Sequence, residues 1–129
     1  MAEHVTFPDA AAIAISVVNA HPAVTVEAHG RVPNPRPIEF IRIRRFGGPK
    51  QNLVMDGAQL TIEGWGKTDE DAHDHVQAAR AALYAASGEV VDDVTVGLVE
   101  ELAGPAELPD PDSDSPRVTM TMVFPCRGT

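Results

Sequence analysis

Two stretches of the chain repeat their apolar residues every three to four positions, and most of the others alternate. The first stretch predicts a helix over Phe7 to Ala20, with Thr6 placed to cap it, Asp9 three residues on and Pro8 in the first turn. Ile13, Val17 and Ala20 form its expected buried stripe, widened by Ile15 and Val18, and Pro22 stops it. The second stretch predicts a helix opening at the Thr68 cap, with Asp69, Glu70 and Asp71 at the positive end of the helix dipole. Its stripe is Ala72, Val76, Ala79, Leu83 and Ala86, and Gly88 ends it.

Alternation predicts the strands. Val24 to Ala28 is a short one, followed by Gly30 to Pro37, a stiff extended loop with three prolines in five positions. Ile38 to Arg45 sets Ile41 and Ile43 on one face and Arg42 and Arg44 on the other. Phe46 to Pro49 reads as a turn and Gln51 to Met55 as the next strand. Asp56-Gly57 is a hairpin signal leading into Ala58 to Trp65, so residues 38–65 predict an antiparallel meander. Val94 to Leu102 is a further strand, Gly104 to Pro116 an acidic proline-rich loop, and Arg117 to Phe124 the last strand, ended by Pro125. The predicted order is α-β-β-β-β-α-β-β. It implies an α+β fold, a mostly antiparallel sheet with two helices packed on one face, in a single domain covering 1–129. The strand order is left open.

Composition agrees with one globular domain. The 129 residues are 43% hydrophobic and only 5% aromatic, so Val, Ile, Leu, Met and Ala must build the core. The net charge is −9, which opposes a protein that grips nucleic acid through its phosphates. That charge is uneven. Six of the ten basic residues lie between Arg31 and Lys50 against the single acid Glu39, a local +5, which leaves −14 elsewhere. One basic and one acidic surface suit head-to-tail contact between copies. The longest apolar run, Ala10 to Val18, is too short for the ~20 residues of a membrane span. Glu3 and Asp9 stand where a secretory signal would carry Lys or Arg, so the expected site of synthesis is a cytoplasm. Cys126 is the one cysteine and reads as a passive thiol.

Candidate chemistry is thin. Gly64-Trp65-Gly66-Lys67-Thr68 ends like a phosphate loop, but the required earlier glycine position is Thr61. Asp69 and His73 could share a helix face, while His75 points elsewhere, and zinc wants three or four converging ligands. Asp110-Pro111-Asp112-Ser113-Asp114-Ser115 spaces acids like a calcium loop without its glycine and final glutamate. Phe40 and Phe46 are the only aromatics beside the basic strand, too few for a base-stacking platform. Ser16, Ser87, Ser113 and Ser115 have no paired base. No catalytic, cofactor or metal residue is therefore assigned, and a non-enzymatic role is expected.

Three segments carry a family likeness: "VPNPRP" (residues 32–37), "LTIEGWGKTDEDA" (60–72) and "LPDPDSDSPR" (108–117). With the intervening pattern the chain resembles, over nearly its whole length, the tail terminator (tail completion) proteins of long-tailed actinobacterial phages. The resemblance implies a hexameric ring without catalytic residues, made in the bacterial host cytoplasm and carried in the neck region of the virion tail. Such a ring caps the head-proximal end of the tail tube, stops its growth and offers a surface to the head–tail connector. DNA passes through the lumen without specific binding. On this reading Arg42, Arg44 and Arg45 form one side of the subunit contact, and Asp110, Asp112 and Asp114 form its acidic partner or a lumen surface. The alternatives are a head-completion or stopper protein of the same connector, and a small ligand-binding or enzymatic α+β domain, which would need a pocket with convergent polar groups.

Overall fold

A computed structural model describes residues 5–129; Glu3 and His4 lie outside them. The elements are α1 (Ala10–Ala20), β1 (Ala28–His29), β2 (Phe40–Arg45), β3 (Met55–Trp65), α2 (Asp69–Ala85), β4 (Val90–Val91), β5 (Val94–Thr95), β6 (Glu100–Glu107) and β7 (Arg117–Arg127). Five strands form one sheet in the order β1-β2-β3-β7-β6, and β4 and β5 form a separate two-stranded ribbon. Every pairing in the large sheet is antiparallel except β1 with β2. Both helices pack on one face of this sheet and against each other, so the fold is α+β, mostly antiparallel.

The core lies between that face and the helices. Ile41 and Ile43 of β2, Ala58, Leu60 and Ile62 of β3, and Val118, Met120, Met122 and Phe124 of β7 point into it. Each large apolar side chain wholly withdrawn from water contributes about 1.5–3 kcal/mol. The α2 stripe is the expected one, with Ala82 added. Its small residues let the helix approach closely, and Gly64 on β3 completes the fit: a Cβ there would lie 2.4 Å from the Ala72 carbonyl oxygen and 2.7 Å from Val76 Cγ2. Thr68 caps α2, its hydroxyl accepting from the Asp71 amide at 3.1 Å.

Several expectations are corrected. The first helix starts at Ala10, and its cap is Asp9, which accepts from the Ala12 amide at 3.1 Å. Thr6 instead pairs with Thr129, amide to carbonyl in both directions at 3.1 and 2.9 Å, tying the two chain ends together. The buried stripe of α1 is Ala10, Ala14 and Val18. Ile13 and Val17 are half-buried and Ala20 is exposed, because the sheet admits the small side chains at closest approach and the larger ones flank it. The strand expected at 24–28 shrinks to Ala28–His29, held by Asn19, whose side chain bonds the Ala28 amide (2.8 Å) and carbonyl (3.2 Å).

Of the expected strand Gln51 to Met55, residues 51–54 form a turn and Met55 already opens β3. The Gln51 amide donates to the Met55 carbonyl at 2.7 Å, and Asn52 Oδ1 accepts from the amides of Val54 and Met55. Asp56-Gly57 lies inside β3 rather than at a hairpin tip, since β3 pairs along its whole length with β7. Three strands, not four, therefore separate the helices. Past α2, Val94 to Leu102 is not one strand. Asp92 and Asp93 take φ of 49° and 64°, as a two-residue hairpin requires, and turn β4 into β5. The acidic segment is a loop only from Leu108, because β6 runs to Glu107 through Gly104 and Pro105. Pro125 does not end β7; it pairs with Gly57 and its carbonyl accepts from the Gly97 amide at 2.8 Å.

Candidate interaction surface

Among the described residues no helix or strand packs on the sheet face turned away from α1 and α2, although Phe40, Glu63 and Trp65 on it are buried. Such a face is usual for antiparallel sheets and reads as alternation along each strand. In β2 the alternation separates the three arginines nominated from sequence. Arg42 and Arg44 stand on the open face, opposite Glu63 and Thr61, whereas Arg45 stands opposite Leu60 and points to the helix side.

Arg45 is committed within the protomer. Its guanidinium donates to Asp56 at 2.6 and 3.0 Å and to the carbonyls of Gly47 and Gly48 at 3.0 and 2.9 Å. The hydrogen bond to Asp56 holds its pKa above the ordinary value, against the opposing effect of burial. Cys126 lies opposite Asp56, and burial pushes its thiol up to about 11, with the Asp56 charge adding to the shift. That is an inert thiol.

Arg42 lies 3.9 Å from the carboxylate of Glu63, a residue only 3% exposed, and its Nε is buried without a hydrogen-bond partner. Glu63 accepts from Trp65 Nε1 at 3.1 Å. Trp65 in turn stacks on Phe40, its cross-strand partner, with ring centroids 5.0 Å apart at 19°. Arg36 and Arg117 stand over the Trp65 ring at 5.0 and 5.4 Å. This aromatic and arginine cluster escaped the sequence reading. Alternation places Phe40 with Arg42, and Glu63 with Trp65, but only the β2–β3 register brings the two pairs together. Arg44 carries none of these contacts and is exposed.

The acidic triplet lies at the Trp65 end of the sheet, not beside Arg44. Asp110 serves its own loop: its carboxylate accepts from Ser113 Oγ (2.6 Å) and the Ser113 amide (3.1 Å), and the hydroxyl bond holds its pKa below the ordinary carboxylate range. Asp112 and Asp114 are exposed, and Ser115 of this loop accepts from Arg36 at 3.2 Å.

Sheet order sets β2 apart from β6, while Arg36 of the basic segment reaches across to the acidic loop. The basic segment includes β2, beside the short edge strand β1, while the far edge is β6. Residues 81–116 hold nine acids and no Lys or Arg. β6 lies within that acidic run and stands three interstrand spacings, about 14 Å, from β2. Its free edge carries exposed leucines: Leu98 just before it, Leu102 within it and Leu108 just after it.

Elsewhere the surface offers less. Among the described residues no group of three His, Cys, Asp or Glu side chains could hold a metal ion. His73 bonds Gln77 at 3.2 Å and His75 meets Glu39 at 3.3 Å, so the two point apart. An open, mainly apolar groove of about 360 Å³ runs between the C-terminal halves of α1 and α2, with Val17 and Ala82 in its wall and His21, Glu89 and Asp92 also lining it. No helix among the described residues is long and apolar enough to cross a membrane. No protein-family model matches the chain, and no curated protein matches its sequence.

Proposed function

We propose that this chain is a non-enzymatic virion assembly protein that forms a ring at the head-proximal end of a phage tail tube. In this role it ends tube polymerisation and offers the joining surface to the head–tail connector. One observation carries the reading: the basic strand β2 and the acidic strand β6 stand apart in one sheet, β2 next to one edge and β6 at the other. A contact between unlike patches is heterologous, and repeated head to tail it closes into a ring when the rotation permits. Acidic surplus around a lumen lets DNA pass, since acidic walls release no counterions from phosphate.

The test uses purified tail-tube protein polymerising in the presence of this chain, viewed by electron microscopy. The expected result is tubes of limited length bearing extra density at one end. Tubes that grow unchecked with bare ends overturn the proposal. The groove between α1 and α2 favours a second reading, a small ligand-binding domain. A saturable small-molecule ligand that displaces solvent from Val17 and Ala82, with no effect on tubes, would establish it instead.

A further inference from the structure

We infer that the β6 edge of one protomer receives the proline-stiffened segment Arg31–Ile38 of a second copy. The inference deepens the proposed ring by naming its contact. On one side stands an edge strand with no partner beyond it among the described residues, bearing Glu100 and Glu107 and flanked or interrupted by exposed Leu98, Leu102 and Leu108. Their exposures, 69%, 53% and 54%, are high for leucines around one edge. On the other side stands a segment carrying Arg31 and Arg36, with Ile38 63% and Val32 36% exposed.

Charge and apolar surface are complementary between the two. Within the protomer Arg36 is taken up by Trp65 and Ser115, whereas exposed Arg31, Val32 and Ile38 remain for a second copy. Pro33, Pro35 and Pro37 fix much of the backbone of the incoming segment, so little conformational freedom is lost on docking. They also remove three amide donors, and Pro105 with the register shifts between Glu101 and Ala106 interrupts β6. The ladder thus cannot extend indefinitely by backbone pairing, which disfavours edge-to-edge aggregation and leaves side-chain complementarity to select the partner. The triplet Asp110, Asp112 and Asp114 then contributes field near the contact, with Asp110 already bound within its loop.

The experiment is a charge exchange read by sedimentation velocity of the whole chain. The wild type forms concentration-dependent multimers. Glu100→Arg and Arg31→Glu each weaken association about tenfold or more, since like charges now meet. An equimolar mixture of the two variants recovers association, because each supplies the charge the other lacks. Both positions are exposed, and circular dichroism melts confirm that both variants fold; the milder Glu100→Gln and Arg31→Gln give a graded version of the same loss. A wild type that stays monomeric to millimolar concentration overturns the contact, while tube capping still decides the proposed function by itself. An unaffected Arg31→Glu, as a β6-to-β6 contact would give, also overturns it, and so does a mixture no better than either variant alone.

Discussion

Arg45 grips Asp56 through two hydrogen bonds of 2.6 and 3.0 Å while holding the carbonyls of Gly47 and Gly48, so one side chain ties the β2–β3 connection to the strand that follows it. Asp56 is 6% exposed, and no other cation pairs with it among the described residues. Asp56→Asn keeps the shape and removes the charge. The side chain of Arg45 is one-third exposed and can recover some hydration, which limits the loss to about 1–3 kcal/mol. Urea unfolding checks the value. Arg45→Ala/Asp56→Ala should cost clearly less than the two single changes summed, because each single change strands a partner.

The neighbouring arginines separate folding from assembly. Arg44→Glu removes no ion pair or side-chain hydrogen bond seen among the described residues and should leave the unfolding free energy within about 0.5 kcal/mol of the wild type. Arg42→Glu sets a carboxylate against Glu63, which is 3% exposed, and should cost about 3 kcal/mol. Thermal melts of the two variants side by side provide the comparison. Equal stabilities would show that the 3.9 Å approach of Arg42 to Glu63 has no energetic weight.

What the sequence revealed followed from how local each signal is. Thr68 and the alanine stripe of α2 depend on neighbours within a few residues, and the helix formed as read. Arg42 and Arg44 share a face because alternation has a period of two, whatever the partner strand. Asp56-Gly57 has the local character of a turn, yet Arg45, eleven residues away, draws Asp56 into a strand. Gly104-Pro105 looked like a loop because an edge strand needs hydrogen bonds on one side only, so proline is tolerated there. The stacking of Phe40 on Trp65 depends on register, a tertiary property no window of sequence carries.

Gly64 should be the least replaceable glycine in the sheet. Gly64→Ala drives a methyl into the Ala72 carbonyl and Val76, and α2 has to move off β3. The expected cost is about 1–3 kcal/mol. Gly104→Ala is the control: nothing lies within 4 Å of the added Cβ, and the change should be near neutral. Denaturant midpoints for the pair measure the difference. A Gly64→Ala protein as stable as Gly104→Ala would mean that the helix–sheet contact is slack.

Cys126 makes the alkaline limb of the stability curve readable. Burial raises its thiol to about 11, above the 9.0 of an unperturbed group, so the folded chain holds this proton where the unfolded chain releases it. The sign follows from linkage: the stabilisation is complete below pH 9 and is lost as pH rises through 11. Its size is about 3 kcal/mol at most. Cys126→Ala lacks this component, and its stability should fall less steeply than that of the wild type between those limits. Chemical denaturation across the alkaline range measures both slopes. A thiol reagent at pH 8 gives the companion result, with no labelling of the native chain and rapid labelling once it unfolds. Parallel slopes, or fast native labelling, would place the thiol in contact with solvent and remove the desolvation on which its shift depends.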